Sequence, residues 1–320
     1  MKVLVVSILL VLCLGFSGLS VAWADPVLIF TGEATETRDL YQIDLERMTI
    51  QPWLKTSDNE EMAAVSPDGS RVAFVSDRQG AMSLYLLPVT SANATGTDIS
   101  AGPGAYSFPA WSMDGKQITV SYAPDPEARL FNRRLVLLDP ETRQQKTLID
   151  SATWPKSEGT EMVLDRPLWL DEKTLIFVAI EYADPADAPR IVSSTLYRLV
   201  LPDGKPERLV GGESYFDASG SSRGFSATFP TRHGSGIAFV AREGRFKHTP
   251  MITSADGRKK QVVPLRDPAF FGPVIEVGKG FVYGIQDEEG GLKLMYLPAA
   301  KQKAVPIPFA GEAYEPVLMP

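Results

Sequence analysis

The sequence is poor in the residues that most often carry covalent or metal chemistry. It has one cysteine, Cys13, and two histidines, His233 and His248, in 320 residues. Cys13 lies in the apolar N-terminal segment, so a chain without this segment has no disulfide, no thiol nucleophile and no thiolate metal ligand. Neither histidine has a second histidine or a cysteine at a spacing that suits zinc. We therefore predict a protein with no metal and no other cofactor, stabilised by the burial of apolar side chains.

The chain also lacks a surplus of positive charge and, after its first residues, any long apolar run. Its formal net charge is −7, whereas proteins that bind nucleic acid carry a surplus of Lys and Arg. The apolar stretch Val3–Gly15 leads to Ala22-Trp23-Ala24, which is the pattern of a cleaved signal peptide. We predict cleavage between Ala24 and Asp25, export to the periplasm or the medium, and a mature domain 25–320 with no membrane span.

A repeated unit organises the rest of the chain. Ala63–Gly69 reads AAVSPDG and Pro109–Gly115 reads PAWSMDG, and short apolar runs follow each of them at matching distances. Weaker copies of the unit begin at Pro167, Phe225 and Pro273. A third and a fourth short run complete each copy. Repeats of four short strands are typical of propeller blades.

The two ends of the chain complete one further blade. Tyr314–Leu318 copies the first strand of the unit, while Val27–Phe30 and Leu40–Asp44 copy the second and third. The sequence thus predicts an all-β fold, a six-bladed β-propeller of four-stranded blades closed by a blade built from both termini. We expect tight two-residue hairpin turns with positive φ at the Asp-Gly pairs 68–69, 114–115, 203–204 and 256–257.

Part of the repeat resembles a known family. Ser66-Pro67-Asp68-Gly69, Ser76–Gly80 and Leu84-Tyr85 are similar to the TolB-type propeller repeats, also called PD40 or WD40-like repeats. The resemblance implies a propeller over 25–320, without the α/β domain that precedes the propeller in TolB. It implies a fold more than a function, because one fold serves many functions.

The longest predicted connections all map to one face of the propeller. They span 121–134, 150–166, 181–194 and 211–224. Repeat proteins place insertions on the binding face, and interface hot spots favour aromatic and arginine side chains, although most such residues only pack the loops. We therefore predict a surface there that binds a ligand or partner. Its candidate residues are Tyr106, Arg129, Phe131, Trp154, Tyr182, Arg190, Tyr215, Arg223, Arg245, Phe246 and His248.

Features that suggest catalysis also have a structural interpretation. Gly220–Gly224 reads GSSRG and matches the nucleophile elbow of hydrolases, which needs a strand before its serine and a helix after it. Here the segment lies in a Ser/Gly-rich loop before a strand, so we predict an inter-blade linker. Trp111 and Trp169 occupy equivalent strand positions and are expected to act as wedges between blades.

These observations favour a non-enzymatic, exported propeller that recognises a protein, a peptide or a cell-envelope component through its long-loop face. A propeller enzyme of the lyase, glycosidase or lactonase type is one alternative, because a propeller channel collects carboxylates from several blades. A structural scaffold for envelope assembly is another, and a flat apolar patch on an outer strand would be its sign.

Overall fold

The chain folds into antiparallel β-sheet almost throughout the part that the structure describes. The computed structural model describes residues 26–91, 94–126, 131–184, 189–212, 225–243, 247–263, 265, 269–298 and 303–320. These residues contain no α-helix, and a turn of 3-10 helix covers Ser151–Thr153. No helix within these ranges is long and apolar enough to cross a membrane.

The strands are short and evenly spaced along the chain. In chain order they are β1 (Val27–Glu33), β2 (Arg38–Asp44), β3 (Thr49–Leu54), β4 (Glu60–Val65), β5 (Arg71–Ser76), β6 (Ser83–Pro88), β7 (Thr97–Asp98), β8 (Ala105–Trp111), β9 (Ile118–Ala123), β10 (Arg134–Leu138), β11 (Gln145–Asp150), β12 (Thr160–Trp169), β13 (Thr174–Ala183), β14 (Arg190–Val200), β15 (Glu207–Gly211), β16 (Ser226–His233), β17 (Gly236–Glu243), β18 (Lys247–Thr253), β19 (Lys260–Val262), β20 (Phe270–Val277), β21 (Gly280–Gln286), β22 (Leu292–Leu297), β23 (Val305–Pro306) and β24 (Glu312–Leu318).

These strands form six four-stranded sheets, the blades of a propeller. Blade one has the order β24-β1-β2-β3, and blades two to six take consecutive sets of four strands from β4 onward. In blade one, β24 pairs antiparallel with β1, with Leu28 opposite Leu318 and Glu33 opposite Glu312. The predicted six-bladed propeller, closed by a blade from both termini, is therefore confirmed.

Apolar side chains between neighbouring blades form the core. Between blades one and two, Trp53 packs in one cluster with Phe74 and Tyr85. The indole Nε1 of Trp111 in blade three donates to the Ala64 carbonyl of blade two at 3.0 Å. The indole of Trp169 in blade four reaches Thr119 Oγ1 of blade three at 3.0 Å. Both tryptophans are thus wedges between blades, as predicted.

The Asp-Gly turns are longer than the predicted two-residue hairpins. In blade two, Ser66 N donates to the Arg71 carbonyl at 2.8 Å, and Ser66 Oγ accepts from Arg71 N at 2.9 Å. These bonds enclose four residues, 67–70, so the two-residue prediction is wrong. The Asp68 carboxylate accepts from Ser66 Oγ at 2.6 Å, and this bond lowers the pKa of Asp68 to about 2.

The same turn recurs in two other blades and is absent from a fourth predicted position. Gly115 and Gly257 adopt φ of +67° and +73°, as Gly69 does at +69°. Gly204 has no positive φ, and its N–H donates to the Val200 carbonyl at 2.8 Å. The three positive-φ glycines follow a Ser-x-Asp segment whose serine caps the turn, and Leu201-Pro202-Asp203 has no such serine.

The two ends of the propeller differ in their connections. We call the end that carries the turns after each inner strand, such as 66–71, the turn face. At the opposite end, the loop face, lie the strand ends that flank the connections 124–133, 151–159, 184–189 and 212–225. The first three of these connections are shorter than predicted, and the second and third are shorter because the strands of blade four continue further toward the loop face.

Blade four is extended by polar residues that have the composition of a loop. Thr160 pairs with Ala183 across β12 and β13, and Ala183 pairs in turn with Arg190 of β14. Glu181 is held in this extension by bonds from Ser157 N at 2.9 Å and from Thr160 Oγ1 at 2.8 Å. These local bonds stabilise strand structure where side-chain hydrophobicity alone predicts a loop.

Candidate functional site

Each inner strand carries a bulge that turns one residue into the central channel. The register shifts at equivalent places, for example between Glu61 and Ala64 and between Ser107 and Ala110. At every bulge one residue has a left-handed backbone, with φ between 48° and 102°. In order from blade two round to blade one, these ring residues are Met62, Phe108, Arg166, Phe229, Gly272 and Glu315.

The ring backbone is unusual, because only glycine adopts this conformation freely. A non-glycine residue in the left-handed region costs on the order of 1 kcal/mol or more, and such residues cluster at functional sites. Proline follows the ring residue in five blades, and alanine follows it in blade two. A bulge leaves backbone groups of the extra residue unpaired. Because proline has no N–H, these five bulges each have one less unpaired hydrogen-bond donor.

Arg166 occupies the centre of the ring. Its guanidinium lies 4.0 Å from the ring centroid of Phe108 and 4.4 Å from that of Phe229. Its Nη2 lies 3.7 Å from Glu315 Oε1, which belongs to the blade directly opposite in the six-membered circle. Stacking on two rings and a charge across the channel hold the cation in place. The ring is therefore a floor that divides the channel.

A funnel leads from the turn face down to this floor. Its volume is about 500 Å³, within the range of small-ligand sites. At the mouth, Arg232 Nη2 donates to the carbonyls of Trp169 at 2.6 Å and Leu170 at 2.9 Å. The wall is mainly apolar and includes Met62, Ala64, Phe108, Pro109, Trp111, Met113, Pro167, Leu168, Trp169, Phe229, Pro230, Pro273, Pro316 and Leu318.

Acidic side chains surround the ring on its loop-face side. Glu61 precedes the ring residue of blade two and pairs with the Arg38 guanidinium at 3.1 Å. Asp165 precedes Arg166, and its buried Oδ1 has no hydrogen-bond partner among the described residues. Burial raises the pKa of Glu61, opposed by the charge of Arg38. Burial likewise raises the pKa of Asp165, opposed by the charge of Arg166.

Glu315 is an acid of the ring whose pKa lies near neutral pH. Only 16% of its side chain is accessible, and its buried Oε2 has no hydrogen-bond partner in the described structure. Burial raises its pKa to about 7, although the Arg166 charge acts in the opposite direction. A buried, strongly shifted carboxyl in a cleft is a recognised mark of a functional site.

Six of the predicted site residues lie in the described part of the loop face. Tyr106 is buried, and its hydroxyl accepts from Ala101 N at 3.1 Å and donates to the Gly102 carbonyl at 3.2 Å. Burial raises its pKa to about 12. Trp154 packs edge-on against Tyr197, with ring centroids 4.9 Å apart. These two side chains thus have structural roles inside the fold.

The other four described candidates are Phe131, Tyr182, Arg190 and His248, and they differ in their contacts. The rings of Phe131 and Tyr182 meet edge-to-face at 5.7 Å, across blades three and four. Arg190 is exposed and pairs with Asp184 at 3.2 Å. His248 Nε2 accepts from Arg242 Nε at 2.9 Å, and its Nδ1 lies 2.9 Å from the Phe270 carbonyl. Burial lowers the pKa of His248, so the neutral ring donates to this carbonyl through Nδ1.

The remaining predictions fall outside the described residues. These are the contact residues Arg129, Tyr215, Arg223, Arg245 and Phe246, together with the cleavage pair Ala24 and Asp25. Within the described ranges, no three His, Cys, Asp or Glu side chains converge as ligands for a metal ion.

Arg166 and Glu315 were not among the sequence-based candidates, although the sequence carries a signal for the ring. The pairs Phe108-Pro109, Arg166-Pro167, Phe229-Pro230, Gly272-Pro273 and Glu315-Pro316 recur at the same place in the repeat. Proline inside a strand is confined to edges and bulges. A proline repeated at one position of the inner strand therefore indicates a bulge, and the residue before it is a candidate for the channel.

The fold of this chain is similar to that of several solved propeller structures. No protein-family model matches the sequence. TolB from Acinetobacter baumannii is similar in structure, with 20% identity and a TM-score of 0.64 over 93% of this chain and 68% of that one. The chain has the TolB-like propeller fold. The predicted resemblance in fold is thereby confirmed.

Other propellers share this TolB-like fold at lower identity. A chain from a nidogen/laminin complex is 13% identical, with a TM-score of 0.59 over 92% of this chain and 98% of that one. A puromycin-hydrolyzing peptidase of Mycobacterium tuberculosis is also 13% identical, with a TM-score of 0.56 over 87% of this chain and 44% of that one. At these identities the likeness concerns the fold, so function has to be argued from the site.

Proposed function

We propose that this chain is an exported, non-enzymatic binding propeller whose funnel receives an extended segment of a protein or peptide from the cell envelope. The observation that carries the proposal is the funnel itself, an apolar cavity of about 500 Å³ that ends at the charged ring. Apolar walls with a few converging polar groups are typical of binding sites. A cavity of about 500 Å³ admits a narrow chain, whereas a flat protein surface cannot enter it.

Two further observations support recognition of a protein or peptide in the envelope. One chain of similar fold was solved in a nidogen/laminin complex, so this fold occurs in a protein–protein assembly. The N-terminal sequence before Asp25 has the pattern of an export signal. The scaffold alternative has less support, because the exposed large apolar side chains of the described residues, Val200, Val262 and Val305, lie on three different blades.

The proposed site lies at the opposite end of the propeller from the surface favoured by sequence alone. The funnel opens at the turn face, while the six predicted contact residues that the structure describes belong to the loop face. The Phe131–Tyr182 pair keeps the loop face as a second candidate surface, because it brings two aromatic rings from different blades together there. The two surfaces are separated by the full height of the blades and can be tested independently.

Photo-crosslinking in intact cells tests this proposal. A benzoylphenylalanine replaces Met113 at the funnel mouth, Tyr182 on the loop face, or Val262 on an outer strand as the matched control. We expect a specific crosslinked partner from position 113 and none from position 262. Crosslinks from position 182 without any from position 113 would overturn the funnel proposal in favour of the loop face.

A second candidate function is carboxylate catalysis in the channel. The observation that favours it is Glu315, whose pKa of about 7 is the range in which a general acid or base works best. Turnover of a candidate substrate that is lost in Glu315→Gln, while substrate binding persists, would establish the enzyme. A binding protein instead keeps its partner and shows no turnover to lose.

A further inference from the structure

The ring has a gap where it passes through blade six. The ring residue there is Gly272, with φ of +102°, and a Cβ at this position would contact only the Gly284 Cα, at 3.7 Å. Gly284 in turn has no space for a side chain, because its Cβ would lie 2.1 Å from the Phe271 carbonyl oxygen. The two glycines leave empty the volume that a ring side chain fills in the other five blades.

This gap opens into a side pocket of about 160 Å³. Apolar side chains form most of its wall, including Phe229, Phe271, Ile285 and Leu294. A dry apolar cavity of about 150 Å³ is large enough to hold benzene. The side pocket therefore has the size and character to hold one apolar group of a ligand.

Arg166 lies in the wall of both the funnel and the side pocket. Among the described residues its guanidinium donates no hydrogen bond, and its 3.7 Å separation from Glu315 is longer than a hydrogen bond. A guanidinium presents a planar set of donors that matches a carboxylate in a bidentate manner. Stacked between two phenyl rings, these donors are oriented in advance for an anionic group.

We propose that the ring binds a carboxylate on Arg166 while the apolar group attached beside that carboxylate enters the side pocket. This inference deepens the proposed function and rests on it. The same chemistry occurs in the C-terminal residue of a peptide and in a short fatty acid. A peptide that enters the funnel end-on meets the ring floor with its terminus, and of the two termini only the C-terminus carries a carboxylate for Arg166.

Binding of short probes to the purified full chain tests the chemistry directly. Isothermal titration compares acetyl-Gly-Gly-Leu with its C-terminal amide, with acetyl-Gly-Gly-Gly, and with hexanoate. We expect the free acid to bind at least about tenfold more tightly than the amide, because only the acid forms the charge-assisted pair. We also expect leucine to be preferred over glycine at the terminus. Hexanoate that binds as tightly as the peptide acid identifies a fatty acid as the source of the chemistry, and weaker binding identifies a peptide.

Variants separate the two halves of the proposed site. Arg166→Asn removes the guanidinium while asparagine tolerates the left-handed backbone, and it should abolish the preference for acid over amide. Ile285→Phe should fill the side pocket and abolish the preference for leucine over glycine, whereas Ile285→Val should keep it. Arg47→Gln is the matched charge control, because Arg47 pairs with Asp44 at a surface turn of blade one. Thermal unfolding of each variant confirms that it is folded.

Glu315→Gln gives a test that misfolding cannot mimic. It removes the carboxylate that competes for Arg166, in a site that also contains Asp165, Glu61 and Arg38. We expect it to tighten binding of the acid probe at pH 8 by severalfold. Equal binding of acid and amide, or acid binding that persists in folded Arg166→Asn, would overturn the inference. A crosslinked partner at position 113 together with no binding of any probe would overturn this inference and leave the proposed function standing.

Discussion

Replacing Glu315 by glutamine should stabilise the propeller at alkaline pH. The side chain is deep in the channel, and burial raises its pKa from 4.5 to about 7. Between these two values the folded protein holds a proton that the unfolded chain has lost. Stability therefore falls as pH rises from about 4.5 to about 7 and is constant above that range, as far as this group is concerned. Glutamine keeps the shape of the protonated acid and has no charge to bury.

The expected size of the effect follows from the same shift. A change of one pKa unit corresponds to about 1.4 kcal/mol, so raising the pKa from 4.5 to about 7 costs the charged form about 3 kcal/mol. The attraction of Arg166 is already included, because it lowers the pKa against the larger effect of burial. The free energy of unfolding of Glu315→Gln should thus exceed that of the parent by about 3 kcal/mol at pH 8, and the two should be nearly equal at pH 4.

Urea unfolding at the two pH values measures this difference, followed by tryptophan fluorescence. Comparing the variant with the parent at each pH isolates Glu315 from the other acids of the channel. Equal stability at pH 8, or a less stable glutamine variant, would refute the argument that Glu315 is buried at an energetic cost. It would then follow that water or a counter-charge compensates the carboxylate.

Three further changes test the fold. Trp111→Phe removes the bond from Nε1 to the buried Ala64 carbonyl and should cost about 1–3 kcal/mol in addition to the cost of the cavity left by the smaller ring, measured by urea unfolding, whereas a total loss below about 1 kcal/mol would show that this bond contributes little. Gly284→Ala would place a Cβ 2.1 Å from the Phe271 carbonyl oxygen and should lower the melting temperature strongly. Gly102→Ala is the control, because a Cβ there meets nothing within 4 Å, and it should leave the melting temperature unchanged. Equal changes in melting temperature for the two variants would contradict the close contact at Gly284. Truncation after Gly311 removes β24 and should abolish cooperative unfolding in calorimetry, and a sharp transition in the truncated chain would show that ring closure is dispensable.

The architecture was accessible from the sequence because a repeat constrains every blade at once. Short apolar runs in sets of four predicted the blades, and Tyr314–Leu318 predicted the strand that closes the ring. Local bonding was less accessible. The two-residue turn prediction failed because Ser66 caps the turn through its own hydroxyl. Strands β12 to β14 extend further than predicted because Glu181 and its partners satisfy one another in an extended conformation.

The channel site was harder to predict because it depends on the closed circle rather than on any local pattern. Arg166 and Glu315 face each other only because their blades are opposite in a ring of six. The recurring prolines mark the bulges, but composition does not show that a left-handed backbone precedes them. A preference for aromatic and arginine residues near long connections selects Tyr106, which is buried in the core, and does not single out Arg166 or Glu315.

The central claim is that ligands enter the funnel from the turn face, and methionine methyl spectra test it most directly. Met62 and Met113 line the funnel, whereas Met251 lies in β18 and Met295 in β22. In a methyl-labelled full chain titrated with the envelope fraction of its own host, we predict shifts of the Met62 and Met113 signals, with those of Met251 and Met295 unchanged. Binding that broadens or shifts other methyl signals and leaves Met62 and Met113 where they were would contradict the account.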